Sequence, residues 1–297
     1  MVLLLVSHPL KGLGGTMDSI DSKAEVGAFE VFLKSPASDE EETLYPVVIW
    51  FNGFQTPYSQ YTELLDEVVS NGFITVSYTV PLLMSASSEL STRVDPLLRW
   101  ITDGSVDAVL PQNVRANSSS VFTAGHSRGG KIASLAFTTN PDIVKATVLI
   151  DPVDSSMYSP ISASNPSAVE ALRASGQTAS IIGAGVVGPC NPPEGNYRKF
   201  YDAVAAGSWK MVIEEAGHAQ FVPGGSLMQD SLCGSGKASR QEVSRLVSSD
   251  IVAWFSTDAA TKNTFVEDMS SRPGVDFQVK AADRQEVLRR TATSGVN

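Results

Sequence analysis

The sequence predicts an α/β protein: a mostly parallel central sheet with helices on both faces. Three observations predict it. The runs "YPVVIWF" (45–51), "FITVSY" (73–78) and "ATVLID" (146–151) are apolar almost throughout, as expected of strands buried on both faces. Segments with helical spacing separate these runs, the pattern of strand–helix–strand units. One further run, "VFTAGHSRGGKIASLAF" (121–137), passes from β-prone to helix-forming residues within a few positions. A turn that sharp needs residues without a Cβ, and Gly125 and Gly129 flank its centre.

In chain order, "GAFEVFLKSP" (27–36) alternates loosely and reads as a strand, followed by an acidic turn at "SDEEET" (38–43). After the apolar strand 45–51, "YTELLDEVVSNG" (61–72) has helical spacing with Gly72 as its stop. The strand at 73–78 follows. "TRVDPLLRWITD" (92–103) reads as a helix, with Pro96 in a first turn or at a kink. Then come the strand 121–125 and its helix, the strand 146–151, and a helix at "SAVEALRA" (167–174). "TASIIGAG" (178–185) and "WKMVIEEAG" (209–217) are the last strands of the series. Ser239-Arg240-Gln241-Glu242 is a capping box that opens a helix running through Trp254. No repeat or composition break divides the chain, so 1–297 reads as one domain, with a core over about 25–256 and a polar, peripheral extension at 257–297.

Composition narrows the function classes. The chain has 297 residues and a net charge of −10, and a nucleic-acid footprint requires a basic surface, so no nucleic-acid partner is expected. Two cysteines, Cys190 and Cys233, match no zinc motif, and no metal site is expected. Whether they pair is open at this point. The N-terminal "MVLLLVSHPLKGLGG" has no basic segment before its apolar run, is too short to span a bilayer, and reads as an extra edge strand. The reading is a soluble chain, with peripheral membrane association as an open alternative. Oligomeric state is not legible.

Gly125-His126-Ser127-Arg128-Gly129 fits G-x-S-x-G in the strand-to-helix setting that a nucleophile elbow requires. Such a turn lifts the serine hydroxyl clear of the sheet and aims a helix N-terminus at developing negative charge. The plainer alternative is a helix-capping serine with packing glycines. The base must be one of three histidines. His126 adjoins the serine and points the other way, and His8 precedes the first clear strand. His218 follows the last core strand in "EEAGHAQFV", the place of the base when the chain order is Ser, acid, His. For the acid, Asp151 ends its strand and Pro152 fixes the exit path, which favours it over Asp154; either aspartate can instead cap the next turn. The oxyanion donors are expected to be the amides of Arg128 and of Phe54, in the loop after "WFNGF". Among the apolar residues near these loops, Tyr58, Met84, Val153 and Phe221 are candidates to contact substrate, with Tyr61, Leu82 and Leu83 also close.

These residues resemble a known family. "GHSRGGK", "LIDPVD", the Gly-His of "EEAGHAQFV", "YPVVIWFNGF", "VVSNGFITVSY", "GPCNPPEGN" and "ELSTRVDPLLRWITDG" are similar to stretches of plant and algal chlorophyllases, over about residues 25–256. The resemblance implies an α/β-hydrolase fold and a serine esterase without a cofactor. It would cleave the phytyl ester of chlorophyll to chlorophyllide and phytol. It places the nucleophile on Ser127, the acid on Asp151 and the base on His218, implies a plastid location, and makes a Cys190–Cys233 disulfide more plausible. Two stretches depart from the family. "FNGF" stands where relatives commonly have histidine before the glycine, and "AQFVPGG" replaces an acidic, methionine-containing stretch. Both border the expected site, so they bear on substrate preference more than on the hydrolase chemistry. The alternatives are a general lipase- or cutinase-like carboxylesterase for other hydrophobic esters, and a non-catalytic pigment- or lipid-binding protein.

Overall fold

The computed structural model describes residues 18–282 except 39, 40, 82, 83, 157, 158 and 226. The expected edge strand at 1–15, His8, Leu82 and Leu83 lie outside the described residues. The chain opens with an antiparallel pair, β1 (Ser19–Val26) and β2 (Phe29–Pro36). Then follow β3 (Thr43–Phe51), α1 (Thr62–Ser70) and β4 (Ile74–Tyr78). α2 (Ala86–Glu89) runs through a π turn at Leu90–Val94 into α3 (Asp95–Thr102), and Pro96, which offers no backbone donor, stands directly after the π turn. Next are β5 (Val114–His126), α4 (Arg128–Thr139), β6 (Val144–Ile150), α5 (Ala168–Ser175), β7 (Ser180–Val186) and α6 (Tyr197–Ala203). The chain continues through β8 (Trp209–Gly217), α7 (Leu227–Cys233), α8 (Arg240–Phe255), α9 (Ala259–Ser271) and β9 (Val275–Val279).

The strands form one sheet in the order β1-β2-β4-β3-β5-β6-β7-β8-β9. β4, β3, β5, β6, β7 and β8 are mutually parallel, while β1, β2 and β9 pair antiparallel at the two edges. This is the α/β-hydrolase fold. The chain winds outward from β3 to β4, then crosses back to β5, and that reversal opens a crevice at the carboxyl ends of β3 and β5.

The near-continuous apolar runs divide between two cores by strand alternation. Val47, Ile49 and Phe51 of β3 pack with Leu97, Ile132 and Leu172 on the face covered by α3, α4 and α5. Val48 and Trp50 pack with Leu64, Val68 and Leu246 on the face covered by α1 and α8. Ser239 caps α8, its Oγ accepting the Glu242 amide at 3.1 Å.

Residues 257–282, read from the sequence as a peripheral extension, form α9 and β9 at the edge of the sheet. Phe265 and Met269 of α9 are buried, and Trp209 packs against Trp254, Phe265 and Phe277, so α9 and β9 complete the second core. The polar composition of α9 follows from its burying only two side chains. β5 also begins well before the expected residue 121, since its polar first half pairs with Thr43–Tyr45.

Candidate active site

β5 ends at His126 and α4 begins at Arg128, so Ser127 alone makes the turn, at φ 59 and ψ −123. A non-glycine residue there costs on the order of 1–3 kcal/mol and persists only where its surroundings hold it. They do. The Ser127 amide donates to Ile150 O at 2.9 Å, and its carbonyl accepts from Gly130 at 3.0 Å and Val153 at 3.2 Å. A Cβ added to Gly129 would lie 2.0 Å from Phe51 O, and one added to Gly125 would lie 2.5 Å from Gly129 O. The glycines are required because β3, β5 and α4 meet in backbone contact beneath the serine.

His218 begins a 3-10 turn directly after β8. Its Nε2 lies 2.9 Å from Ser127 Oγ, and its Nδ1 lies 2.6 Å from Asp151 Oδ2. Asp151 is fully buried and, like Ser127, has a positive φ, at 36. Its carboxylate accepts the Ala184 amide at 3.0 Å on Oδ1 and Asn191 Nδ2 at 2.8 Å on Oδ2. Such an arrangement can hold an imidazole in one tautomer and pass a serine proton to it. Asp154 faces elsewhere. It takes Ser167 Oγ at 2.6 Å and the Ala168 amide at 2.7 Å at the start of α5, and sits 3.5 Å from the buried Lys131 ammonium.

The turn carrying His218 is braced from below. Gln220 Oε1 accepts the amides of Gly217 and Gly236, and its Nε2 donates to Ala238 O. Arg240 donates to the carbonyls of Ala219 and Val222 and pairs with Asp230. His126 lies under the base, the two rings 4.7 Å apart. Burial first, and then the His218 ring, hold His126 well below the usual histidine range, so it stays neutral. Its Nδ1 meets the Tyr61 hydroxyl at 2.9 Å, and the same hydroxyl accepts the Gly53 amide at 3.1 Å. Tyr61 therefore links the loop after β3 to the histidine beneath the base.

Among the described residues, neither the Phe54 nor the Arg128 amide meets a protein acceptor. Both residues line one cavity of about 330 Å³, with Met84, Val80, Pro81 and Thr56. The Arg128 side chain reaches back from this wall. Its guanidinium pairs with the buried Glu89 at 2.6 Å and donates to Met84 O at 2.9 Å. Tyr78 donates to the other Glu89 oxygen at 2.9 Å. Burial pushes the Glu89 carboxyl upward, and the Arg128 charge opposes that shift.

The expected site residues separate into two groups. Ser127, Asp151 and His218 meet, Phe54, Arg128 and Met84 share the cavity, and half-buried Val153 donates its amide to the Ser127 carbonyl. Tyr58 and Phe221 are placed differently from the expectation. Tyr58 stacks on Phe32 at 5.0 Å beside Lys34, and Phe221 is buried in the second core with its ring 5.9 Å from His126. Aromatic residues beside site loops have two faces to choose from, and here the core supplied more apolar contact. Sequence reading missed Asn191, Gln220, Arg240 and Glu89. Each lies in a stretch quoted above, Asn191 in "GPCNPPEGN", Gln220 in "EEAGHAQFV", Glu89 in "ELSTRVDPLLRWITDG" and Arg240 in the capping box, but none was singled out there for a part in the site. Cys190 and Cys233 form a disulfide, closing the question the sequence left open.

The chain matches the chlorophyllase family over residues 19–275. It is 27% identical over 232 residues to chlorophyllase-1 of Arabidopsis thaliana, covering 71% of each chain. It is 28% identical over 209 residues to chlorophyllase-2 of the same plant, covering 63% of each. With the chloroplastic chlorophyllase-1 of Citrus unshiu it shares 26% identity over 275 residues, covering 84% of this chain and 81% of that one.

Proposed function

Because the chain belongs to the chlorophyllase family, we propose that it is a serine ester hydrolase whose substrate is the phytyl ester of chlorophyll. The observation that carries the reading is the unbroken series from Ser127 Oγ through His218 to Asp151, at 2.9 and 2.6 Å, on a strained elbow. His218 Nε2 accepts the hydroxyl proton as Ser127 Oγ attacks the ester carbonyl. Asp151 holds the proton on Nδ1 and stabilises the imidazolium that forms. The amides of Phe54 and Arg128 donate to the oxyanion, reinforced by the N-terminus of α4. The alcohol leaves with the proton from His218. Water then enters, gives its proton to the same nitrogen, and releases the acid from the serine. The chain and water supply every group in this scheme. The chloroplastic relatives support a plastid location.

The test is chlorophyllide release from chlorophyll a by the wild type and by Ser127→Ala, with p-nitrophenyl butyrate in parallel. Pigment turnover lost in the variant is the expected result. Turnover of the small ester alone, also lost in the variant, would move the protein to a general carboxylesterase. The departures at "FNGF" and "AQFVPGG", both beside the site, are what keep that second reading alive.

A further inference from the structure

The Asp151 carboxylate is held from two sides of different rigidity. Oδ1 is tied to the Ala184 amide, part of β7. Oδ2, the oxygen that faces His218, is shared with the side chain of Asn191, which lies in the loop after β7 and is fully buried. The Asn191 amide group can face only one way. Its Oδ1 accepts the Gly188 amide at 2.7 Å, which turns Nδ2 toward the carboxylate. Its carbonyl in turn accepts Asn196 Nδ2 at 3.0 Å.

The neighbouring residue is Cys190, bridged to Cys233 at the end of α7. The stretch after Cys233 lies along the turn that carries His218. A Cβ added to Gly217 would lie 2.6 Å from Gly234 O, and the Gly236 amide donates to Gln220. The bridge thus joins the support of the acid to the support of the base.

We propose that Asn191 is a positioning residue for Asp151 and that the Cys190–Cys233 bridge holds it in register. The proposal rests on the triad reading given above. It uses a donor placed on the oxygen that must face His218, and a covalent link that keeps the two loops together during turnover. Loss of the donor lets the carboxylate rotate about its remaining Ala184 anchor, and loss of the bridge lets the Asn191 loop drift from the carboxylate.

The test reads the Asp151–His218 contact directly. In protein labelled with 15N-histidine, only three histidines contribute, and the His218 Nδ1 proton shared with Asp151 gives a downfield resonance. Asn191→Ala is expected to shift or broaden that resonance and to lower kcat on p-nitrophenyl butyrate about tenfold at unchanged KM, the scale of one hydrogen bond to a charged group. Cys190→Ser with Cys233→Ser is expected to act in the same direction. The triple variant should be no worse than Asn191→Ala, because all three changes act through one contact. A wild-type resonance and wild-type turnover in Asn191→Ala would overturn the proposal, as would losses that multiply in the triple variant. Should Asn191→Ala not fold, Asn191→Leu keeps the bulk, removes the donor, and must move the same resonance. The resonance needs no substrate. A wild-type protein inactive on every ester would sink the hydrolase reading and still leave this question decided.

Discussion

The two sides of the crevice are built differently. On the side of β6, β7 and β8, Asp151, Asn191, His218 and Gln220 are buried and hydrogen-bonded to other segments of the chain. On the side of β3 and β4, the wall is a pair of loops whose residues face a cavity, and Phe54 is 59% exposed. The first side holds each polar atom through a hydrogen bond to a second element. The second can change its side chains with little effect on the fold. That division fits a hydrolase whose chemistry is fixed and whose substrate is chosen by the opposite wall.

The largest test of this contrast is the pair of neighbouring aspartates. Asp151→Asn is expected to lower kcat by about four orders of magnitude, the usual loss when the histidine tautomer is no longer held. Asp154→Asn is expected to leave kcat within a few-fold. It should instead lower stability by about 3 kcal/mol, because Lys131 loses its buried partner. Steady-state kinetics and urea unfolding of both variants separate the two. Equal losses of activity would merge the roles the structure keeps apart.

Tyr61→Phe probes the link between the two sides. Removing the hydroxyl leaves the Gly53 amide and His126 Nδ1 without their shared partner. The expected result is a fall of about tenfold in kcat with KM unchanged, since the loop that carries the Phe54 amide loses its tie. A change in KM alone would assign Tyr61 to substrate contact.

Asp250 sharpens the comparison by being the opposite of Asp151. It is fully buried on α8, accepts only Ser180 Oγ at 2.9 Å among the described residues, and is pushed by that burial up to about 7. Its proton is held in the folded chain and released in the unfolded chain between about pH 4 and 7, so stability falls as pH rises through that window. Asp250→Asn is therefore expected to raise stability at pH 8, by on the order of 2 kcal/mol, and to change little at pH 4. Thermal unfolding at the two pH values checks it, with activity unaffected because Asp250 and Ser180 lie at the amino-terminal end of β7.

The smallest effects belong to the open wall. Met84→Ala is expected to raise KM for long-chain esters about fivefold and to spare short ones, the scale of losing part of one apolar contact. Phe54→Ala should alter stability by less than about 0.5 kcal/mol, because the side chain is largely in solvent. The Phe54 amide survives the change, so kcat on small esters should survive too.

The contrast also explains what could be read in advance. β3, β4 and β6 were legible because burial on both faces leaves mostly apolar residues, a signal confined to a few consecutive positions. β1 and β9 are edge strands with solvent on one side, so "SIDSKAEV" and "VDFQV" carry a weak pattern. Ser127 and the glycines were legible because a strained turn imposes its demands locally. His218 and Asp151 could be proposed from their places at strand ends. Asn191, Gln220, Arg240 and Glu89 act across long stretches of chain, as when Gln220 receives Gly236 and Arg128 reaches Glu89, and nothing local marks them. For Tyr58 and Phe221 the residue type was visible, but not which face of the loop would hold it.

The contact between Gly129 and the Phe51 carbonyl has one more consequence. Phe51 is followed directly by the loop bearing Phe54, and Gly129 directly follows Arg128. The Arg128 end of the separation between the two amides is therefore gauged by main chain pressed on main chain, while the Tyr61 hydroxyl on the Gly53 amide holds the Phe54 end. A lineage can rewrite every residue facing the cavity and inherit the same gauge.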